Sequence, residues 1–218
     1  MKPATQDMLA RAAPFALYIA FLVVESLLPE RTPWLYPVQL GLVAALLAFY
    51  WPRYVELHRP VQARPRDWAL AALVGGGVFV LWIQLDFGWA TLGEGRGFDA
   101  TLSGSGADPI GVALRFVGAV AIVPVMEELF WRSFVLRWLE RSEFLAVAPR
   151  DVSVRSLVIC AAVFAAEHHL WLAGLVAGLA YGELYRRVGR LGPVIVAHAL
   201  TNLALEVWVL RTGDWALR

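Results

Sequence analysis

Long apolar stretches constrain this chain more than any other feature of its sequence. Seven of them approach the roughly 20 residues that a helix needs to cross the hydrocarbon core of a bilayer. Because 59% of the 218 residues are hydrophobic, no room is left for a soluble domain of any size. We therefore expect an all-α, polytopic transmembrane helical bundle and a single membrane domain over residues 1–218. The expected spans are about 14–29, 34–51, 68–87, 110–139, 153–169, 170–188 and 191–210.

The fourth stretch is longer than a bilayer requires. A helix over 110–139 can tilt, or it can break at Pro124, because proline removes a backbone donor and clashes with the preceding turn. The expected number of spans is therefore seven, or eight if the helix breaks. The Gly/Ser-rich segment 93–109 precedes this stretch and is interpreted as a flexible connection within one domain.

Positive charges are distributed unequally between the two predicted faces of the membrane. Cytoplasmic segments of membrane proteins are enriched in Lys and Arg. With the amino terminus inside and the carboxyl terminus outside, thirteen of the 19 Lys and Arg residues fall on the inner face and four on the outer. We expect this N-in, C-out orientation, in the plasma membrane (the inner membrane of a bacterium). The inner residues are Lys2, Arg11, Arg53, Arg59, Arg64, Arg66, Arg137, Arg141, Arg150, Arg155, Arg186, Arg187 and Arg190.

Three charged side chains lie in the middle of the fourth apolar stretch. A charge at the bilayer centre costs roughly 2.5–3.5 kcal/mol on the insertion scale, so such groups face the bundle interior and mark functional sites. Glu128 and Arg132 are four residues apart and can pair on one helix face, whereas Glu127 points about 100° away. The alternative is a buried charge cluster that only fixes helix packing.

Two later stretches carry polar residues at comparable depths. At about 1.5 Å per residue, Glu127 lies roughly 18 Å and His168 roughly 21 Å from the inner ends of their spans. His198 and Asn202, roughly 10 and 16 Å deep, are four residues apart and share one helix face. A single membrane histidine usually makes a helix–helix hydrogen bond, and His169 is interpreted in that way. The convergence of the others favours a site.

These residue types fit the hydrolysis of a peptide bond by an activated water molecule. A carboxylate and a histidine can hold and deprotonate water, and such proton transfer contributes about 10²–10⁴-fold to a rate. A second histidine and an asparagine amide can donate hydrogen bonds to a developing oxyanion. No serine or cysteine adjoins these histidines in the sequence. Cys160, the one cysteine, lies in an apolar run and is expected to be a core residue.

The same residues form three motifs that resemble those of a known family. In order along the chain, they resemble the type II CAAX prenyl endopeptidases and their bacterial relatives, the CPBP or Abi proteins. The EHH run and the short chain are similar to the CAAX-protease-related proteins that accompany exosortase sorting systems. The motifs read EELFWR at Glu127–Arg132, FAAEH at Phe164–His168 and HALTN at His198–Asn202.

The resemblance implies a domain plan and a role for each residue. Residues 110–210 would form the catalytic core and 1–109 accessory spans. The expected reaction is glutamate-type intramembrane endoproteolysis of a membrane-anchored peptide or protein, reached from the cytoplasmic side or laterally from the lipid bilayer, with no nucleic-acid partner. Water would be activated by Glu127 and His168, the oxyanion hole formed by His198 and Asn202, and the orienting pair by Glu128 and Arg132.

Two other classes of function stay open at this point. One is a non-catalytic immunity factor or sorting-system partner that keeps the polar cluster for structure. The other is a proton-coupled carrier that uses Glu127, Glu128 and Glu206 as a relay, although no pair of broken helices recurs in corresponding halves.

A metal site is a further alternative. No metal and no other cofactor is expected, because the compact H-E-x-x-H zinc motif is missing and an asparagine is a poor zinc ligand. If zinc is present, its predicted ligands are Glu127, His168 and His198, with water in the fourth position.

Overall fold

Helices make up the regular structure of the residues that the computed structural model describes, and no strand occurs among them. The described residues are 3–28, 32, 34–58, 63–93, 109–214 and 217. Most of the predicted flexible connection, 94–108, therefore lies outside the described residues. The helices are α1 (Pro3–Leu27), α2 (Leu35–Phe49), α3 (Val55–His58), α4 (Pro65–Trp82), α5 (Pro109–Trp138), α6 (Val154–Ala165), α7 (Trp171–Val188) and α8 (Leu191–Thr212).

Three of these helices are long and apolar enough to cross a membrane, namely α1, α5 and α8. The helices α2 and α6 are also apolar but shorter. Large apolar side chains are exposed along the bundle, among them Leu27, Phe49, Leu73, Val117 and Val163. A soluble monomer rarely exposes so much apolar surface. The chain is therefore an all-helical membrane protein.

Of the two alternatives for the fourth stretch, the break at Pro124 does not occur, because α5 is continuous from Pro109 to Trp138. Two segments of α5 are wound as a π-helix, Gly118–Ile122 and Leu129–Val135. The first of them ends just before Val123-Pro124. A π-turn already departs from the i→i−4 hydrogen-bonding pattern that proline cannot complete, so the helix can pass through Pro124 without ending.

The helix α6 ends earlier than the sequence predicted. The fifth span was expected to run to residue 169, but the helix stops at Ala165. Ser153 caps its first turn by accepting a hydrogen bond from the Ser156 amide at 3.1 Å. His168 and His169 consequently lie in the turn that leads to α7, not on the helix. His169 Nδ1 donates to the Leu92 carbonyl at 2.8 Å, which joins this turn to the segment that follows α4.

Glycines bring the helices around the site into close contact. A Cβ added at Gly178 of α7 would lie 3.0 Å from the Ala161 Cα of α6, and one at Gly174 would lie 3.2 Å from the Ala165 Cα. A Cβ at Gly75 of α4 would lie 2.5 Å from the Ala197 carbonyl oxygen of α8. Small residues at such crossings let helix backbones approach closely inside a membrane.

A buried polar cluster ties the amino-terminal helices to α5. Arg11 of α1 is fully buried and pairs with Glu56 of α3 at 2.6 Å. Arg11 Nε also donates to Ser133 Oγ of α5 at 3.0 Å, and Ser133 donates to Glu56. Tyr54 donates to the Ala10 carbonyl at 2.8 Å. Ser133, the residue that follows Arg132, is thus held in place by the amino-terminal part of the chain.

Candidate active site

The two adjacent glutamates of α5 have different surroundings. Glu128 is fully buried, and its Oε1 lies 3.1 Å from Arg132 Nη1. Glu127 also has little exposed surface, 8%. Within the described residues, the Oε2 atoms of both glutamates receive no hydrogen bond. The two differ because Glu128 forms the predicted ion pair with Arg132, while Glu127 lines a cavity in which it can accept a proton.

His198 of α8 connects the two glutamates. Its Nδ1 lies 2.8 Å from Glu128 Oε1, and its Nε2 lies 4.0 Å from Glu127 Oε2. The first distance is a hydrogen bond; the second is too long for one. The Tyr181 ring of α7 stacks on the His198 ring at 5.1 Å between centroids. The imidazole is held on one face and at one nitrogen, and its other nitrogen is directed toward Glu127.

Asn202 lies one turn beyond His198 and contacts the first π-helical segment of α5. Its Nδ2 donates to the Ala119 carbonyl at 2.8 Å. A backbone carbonyl within a π-helical segment can turn away from the helix and accept from outside it, and such segments are frequent at functional sites. One N–H of the amide is engaged in this contact; an amide nitrogen has two.

His168 approaches the site from the turn after α6. Its Nδ1 lies 2.8 Å from the Phe164 carbonyl oxygen. A carbonyl only accepts hydrogen bonds, so Nδ1 carries the proton and Nε2 of the neutral ring has a free lone pair. The ring also packs against Phe164, 4.5 Å away, and against Trp82, 5.5 Å away. This orientation suits Nε2 to accept a proton from water.

Four of the six predicted site residues line one cavity. It has a volume of about 590 Å³, within the usual range for ligand-binding cavities. Glu128 and Arg132 lie behind it, and they hold His198 and the aromatic wall: the Arg132 guanidinium is 4.6 Å from the Phe164 ring centroid. The six residues therefore form one connected site. The four that line the cavity are Glu127, His168, His198 and Asn202.

A group of possible metal ligands lies at one side of this cavity. One ligand atom each from Glu127, Glu167 and His168 lies within 4.8 Å of the others. This group differs from the set predicted for zinc, because Glu167 takes the place of His198. Glu167 Oε1 already accepts a hydrogen bond from Trp131 Nε1 at 3.0 Å. Three such ligands with an open position is a pattern that catalytic zinc can use.

Several residues that build the site lie outside the three sequence motifs. Tyr181 stacks on His198 and donates to Thr201 Oγ1 at 2.7 Å, and Thr201 donates to the Gly75 carbonyl at 2.9 Å. Arg115 lines the cavity and lies 4.4 Å from the Tyr36 ring centroid. One feature of the sequence could have indicated Arg115 as a site residue, namely its charge within an apolar stretch. Glu206, which would belong to the proton relay if the protein were a carrier, is a buried residue of the cavity wall.

The fold and the site together define a class: a helical membrane protein that directs a carboxylate, two histidines and an asparagine into an interior cavity. Comparison with protein families then adds a similarity. Residues 109–204 match the family described as type II CAAX prenyl endopeptidase Rce1-like, so this segment of the chain is similar to that family. This confirms the resemblance seen in the three motifs and implies a CAAX-protease type of hydrolase. Neither the curated proteins nor the solved structures contain a match to the chain.

Proposed function

We propose that this protein is an intramembrane endopeptidase that cleaves a membrane-anchored peptide or protein with water activated by Glu127 and His168. The observation that carries the proposal is the convergence of Glu127, His168, His198 and Asn202 on one cavity of about 590 Å³. The similarity of residues 109–204 to the Rce1-like family supports the same class of reaction. We place the protein in the plasma membrane as a multi-pass protein, with the lipid bilayer and an anchored substrate as partners and no nucleic acid.

The first step is the activation of water. A water molecule in the cavity donates one hydrogen bond to Glu127 and one to Nε2 of His168, whose Nδ1 proton is fixed on the Phe164 carbonyl. Glu127 takes a proton from this water, and the water oxygen forms a bond to the carbonyl carbon of the substrate. His168 holds the water and shares the developing positive charge, as a general base partner does.

The second step stabilises the oxyanion and releases the amine. The carbonyl oxygen becomes an oxyanion that accepts from the second N–H of Asn202 and from Nε2 of His198. Because Nδ1 of His198 faces Glu128 at 2.8 Å, Nε2 can donate only when the ring carries both protons. Glu127 returns its proton to the leaving nitrogen as the C–N bond breaks, giving a carboxylic acid and an amine, and the acid then releases its proton to solvent.

Glu128 and Arg132 act through the residues that they position. Glu128 orients His198, and Arg132 neutralises Glu128 and packs on the aromatic rings of Phe164 and Tyr181. If a zinc ion binds, Glu127, Glu167 and His168 would hold it, and the ion would supply a more acidic water. We propose the metal-free reaction, because a carboxylate oxygen and an imidazole lone pair suffice to take the proton.

The experiment is a comparison of membrane peptides in cells that make the native protein or the Glu127→Gln variant. We expect peptide termini that are present with the native protein and lost in the variant. Glu143→Gln is the matched control, since Glu143 is exposed and does not line the cavity. Identical termini in native and Glu127→Gln cells would instead support the non-catalytic immunity or sorting-system partner.

A further inference from the structure

The cavity is lined from one end of the helical bundle. Toward its mouth, α1 contributes Glu25 and Ser26 from its last turn, and α2 contributes Tyr36 from its first turn. Trp82, the last residue of α4, and Leu217, beyond the end of α8, line the cavity from the same end of the bundle. The Trp82 indole donates to the Leu217 carbonyl at 3.0 Å, so these helix ends are in contact.

The opposite end of the bundle carries most of the arginines that the structure describes; Arg115 and Arg211 are exceptions on the cavity's side. There the start of α4 meets the start of α8, where Asp67 pairs with Arg190 at 2.9 Å. The end of α7 meets the segment before α6, where Arg186 donates to the Val152 carbonyl at 2.9 Å. Arg11 and Glu56 form their pair at this end as well. We call this part of the bundle the arginine-rich end. None of the residues named in this paragraph as forming its contacts lines the cavity.

The two ends can be assigned to the two sides of the membrane. An excess of Lys and Arg marks the cytoplasmic side of a membrane protein. The arginine-rich end is therefore cytoplasmic, and the mouth of the cavity faces the other side. This differs from the sequence-based expectation that substrate arrives from the cytoplasm or laterally from the lipid. The difference arises because the sequence predicts how deep Glu127 and the histidines lie in the membrane. It does not show which helix ends line the cavity.

We propose that the cavity opens to the extracytoplasmic side and that its substrate is the extracytoplasmic juxtamembrane segment of a membrane-anchored peptide or protein. The opening follows from the cavity lining and from the distribution of the arginines, whereas the cleavage of such a segment rests on the proposed function. An extended segment that leaves the outer leaflet would pass Ser26 and Tyr36 before it reaches Glu127. Cytoplasmic peptides and cytoplasmic ends of membrane spans are excluded as substrates.

Accessibility of single cysteines to a membrane-impermeant thiol reagent tests the opening. The background is Cys160→Ala, which removes the one native cysteine, itself buried. Ser26→Cys at the mouth is compared with Ser142→Cys at the arginine-rich end, both replacing exposed serines. Two cysteines farther into the cavity, Ala119→Cys and Val123→Cys, report on the path; two are used so that one poorly folded variant does not decide the result.

In intact cells we expect the reagent to label the Ser26, Ala119 and Val123 variants. The Ser142 variant should be labelled only after the membrane is permeabilised. Labelling of the Ala119 and Val123 variants only from the cytoplasmic side would overturn the proposal. Labelling of those two only by a membrane-permeant reagent would also overturn it, in favour of lateral access from lipid. The readout needs no proteolysis, so it separates this proposal from the proposed function.

The peptide comparison tests the substrate class. Termini that depend on Glu127 should map to the extracytoplasmic ends of membrane spans. Termini at cytoplasmic ends would refute this substrate class while leaving the protease function intact. If no terminus depends on Glu127 but the labelling pattern is as expected, the protease function fails and the extracytoplasmic opening stands.

Discussion

At the scale of single residues, the two neighbouring glutamates divide the work between chemistry and structure. Glu128 is enclosed between Arg132 and His198, at 3.1 and 2.8 Å. Glu127 lines the cavity, whereas Glu128 does not. Buried ionic groups destabilise a fold strongly when one partner is removed, because the other charge is left uncompensated. The two glutamates should therefore respond differently to the same substitution.

We expect Glu127→Gln to give a folded, membrane-inserted protein without activity, because only the proton acceptor is lost. Glu128→Gln should lose activity and also about 3–5 kcal/mol of stability, because it leaves Arg132 without its buried carboxylate. Thermal unfolding in detergent and membrane abundance measure the difference. An equal loss of stability in both variants would contradict this division of roles.

Metal content gives a second test at the residue scale. We expect the purified protein to carry no stoichiometric zinc and mild chelation to leave cleavage intact. Stoichiometric zinc by elemental analysis would contradict the metal-free reaction, and the variants would then identify the ligands. Loss of zinc in Glu167→Ala and His168→Ala would support the group seen in the structure, whereas loss in His198→Ala would support the set predicted from the sequence.

The residues of the motifs could be predicted from the sequence, but those that support them could not. A charge or a histidine in an apolar stretch is informative by itself, because burying it in lipid is costly. Tyr181 gives no such signal, since a tyrosine is common in membrane helices. Its contact with His198 depends on how α7 packs against α8, and that packing is a tertiary property.

At the scale of helices, the sequence predicted where apolar stretches lie better than how they end. The fourth stretch was expected either to tilt or to break at Pro124, and π-helical winding lets α5 continue. The fifth was expected to include His168 within its helix, yet α6 ends at Ala165. Apolar composition shows that a segment suits a membrane, whereas hydrogen bonds local to each turn decide where a helix ends.

The contact between α4 and α8 can be tested with two adjacent glycines. A Cβ at Gly75 would lie 2.5 Å from the Ala197 carbonyl, whereas one at Gly76 would have nothing within 4 Å. We expect Gly75→Ala to cost about 1–3 kcal/mol, as overpacking does, and to lower activity because His198 adjoins Ala197. Gly76→Ala should be neutral or stabilising by about 0.5–1 kcal/mol, because alanine favours a helix. Thermal unfolding in detergent compares them, and equal effects would show that the two helices do not touch at Gly75.

At the scale of the whole molecule, the amino-terminal helices belong to the same packed body as the family segment. One buried cluster of apolar side chains includes Phe15 and Val43 together with Met126 and Phe164. The family match begins at residue 109, but α1, α2 and α4 supply walls of the cavity. No role for these helices could be predicted from the sequence, since they carry no motif. Their role is visible only once Arg11, Glu56 and Ser133 are seen in contact.

The Arg11–Glu56 pair makes the stability of the protein depend on pH. Burial opposes the ionisation of Glu56, but hydrogen bonds from Arg11 and Ser133 outweigh it and hold the pKa of Glu56 below its ordinary value of 4.5. A group whose pKa is lowered by folding stabilises the folded state above its unfolded pKa, and this contribution is lost as the pH falls through its folded pKa. The native protein should therefore lose stability as the pH drops below 4.5.

Glu56→Gln provides the comparison, because it removes the titrating group and keeps its shape. At neutral pH we expect this variant to be less stable than the native protein by about 3–5 kcal/mol, since Arg11 is left buried without its partner. That difference should shrink as the pH falls below 4.5, because protonation of Glu56 removes the same carboxylate from the native protein. Glu143→Gln, an exposed position near the same end of the bundle, should follow the native protein at every pH. Melting temperatures in detergent would measure all three proteins, and a gap between native and Glu56→Gln that stays constant in acid would show that the amino-terminal helices are not held to α5 through this carboxylate.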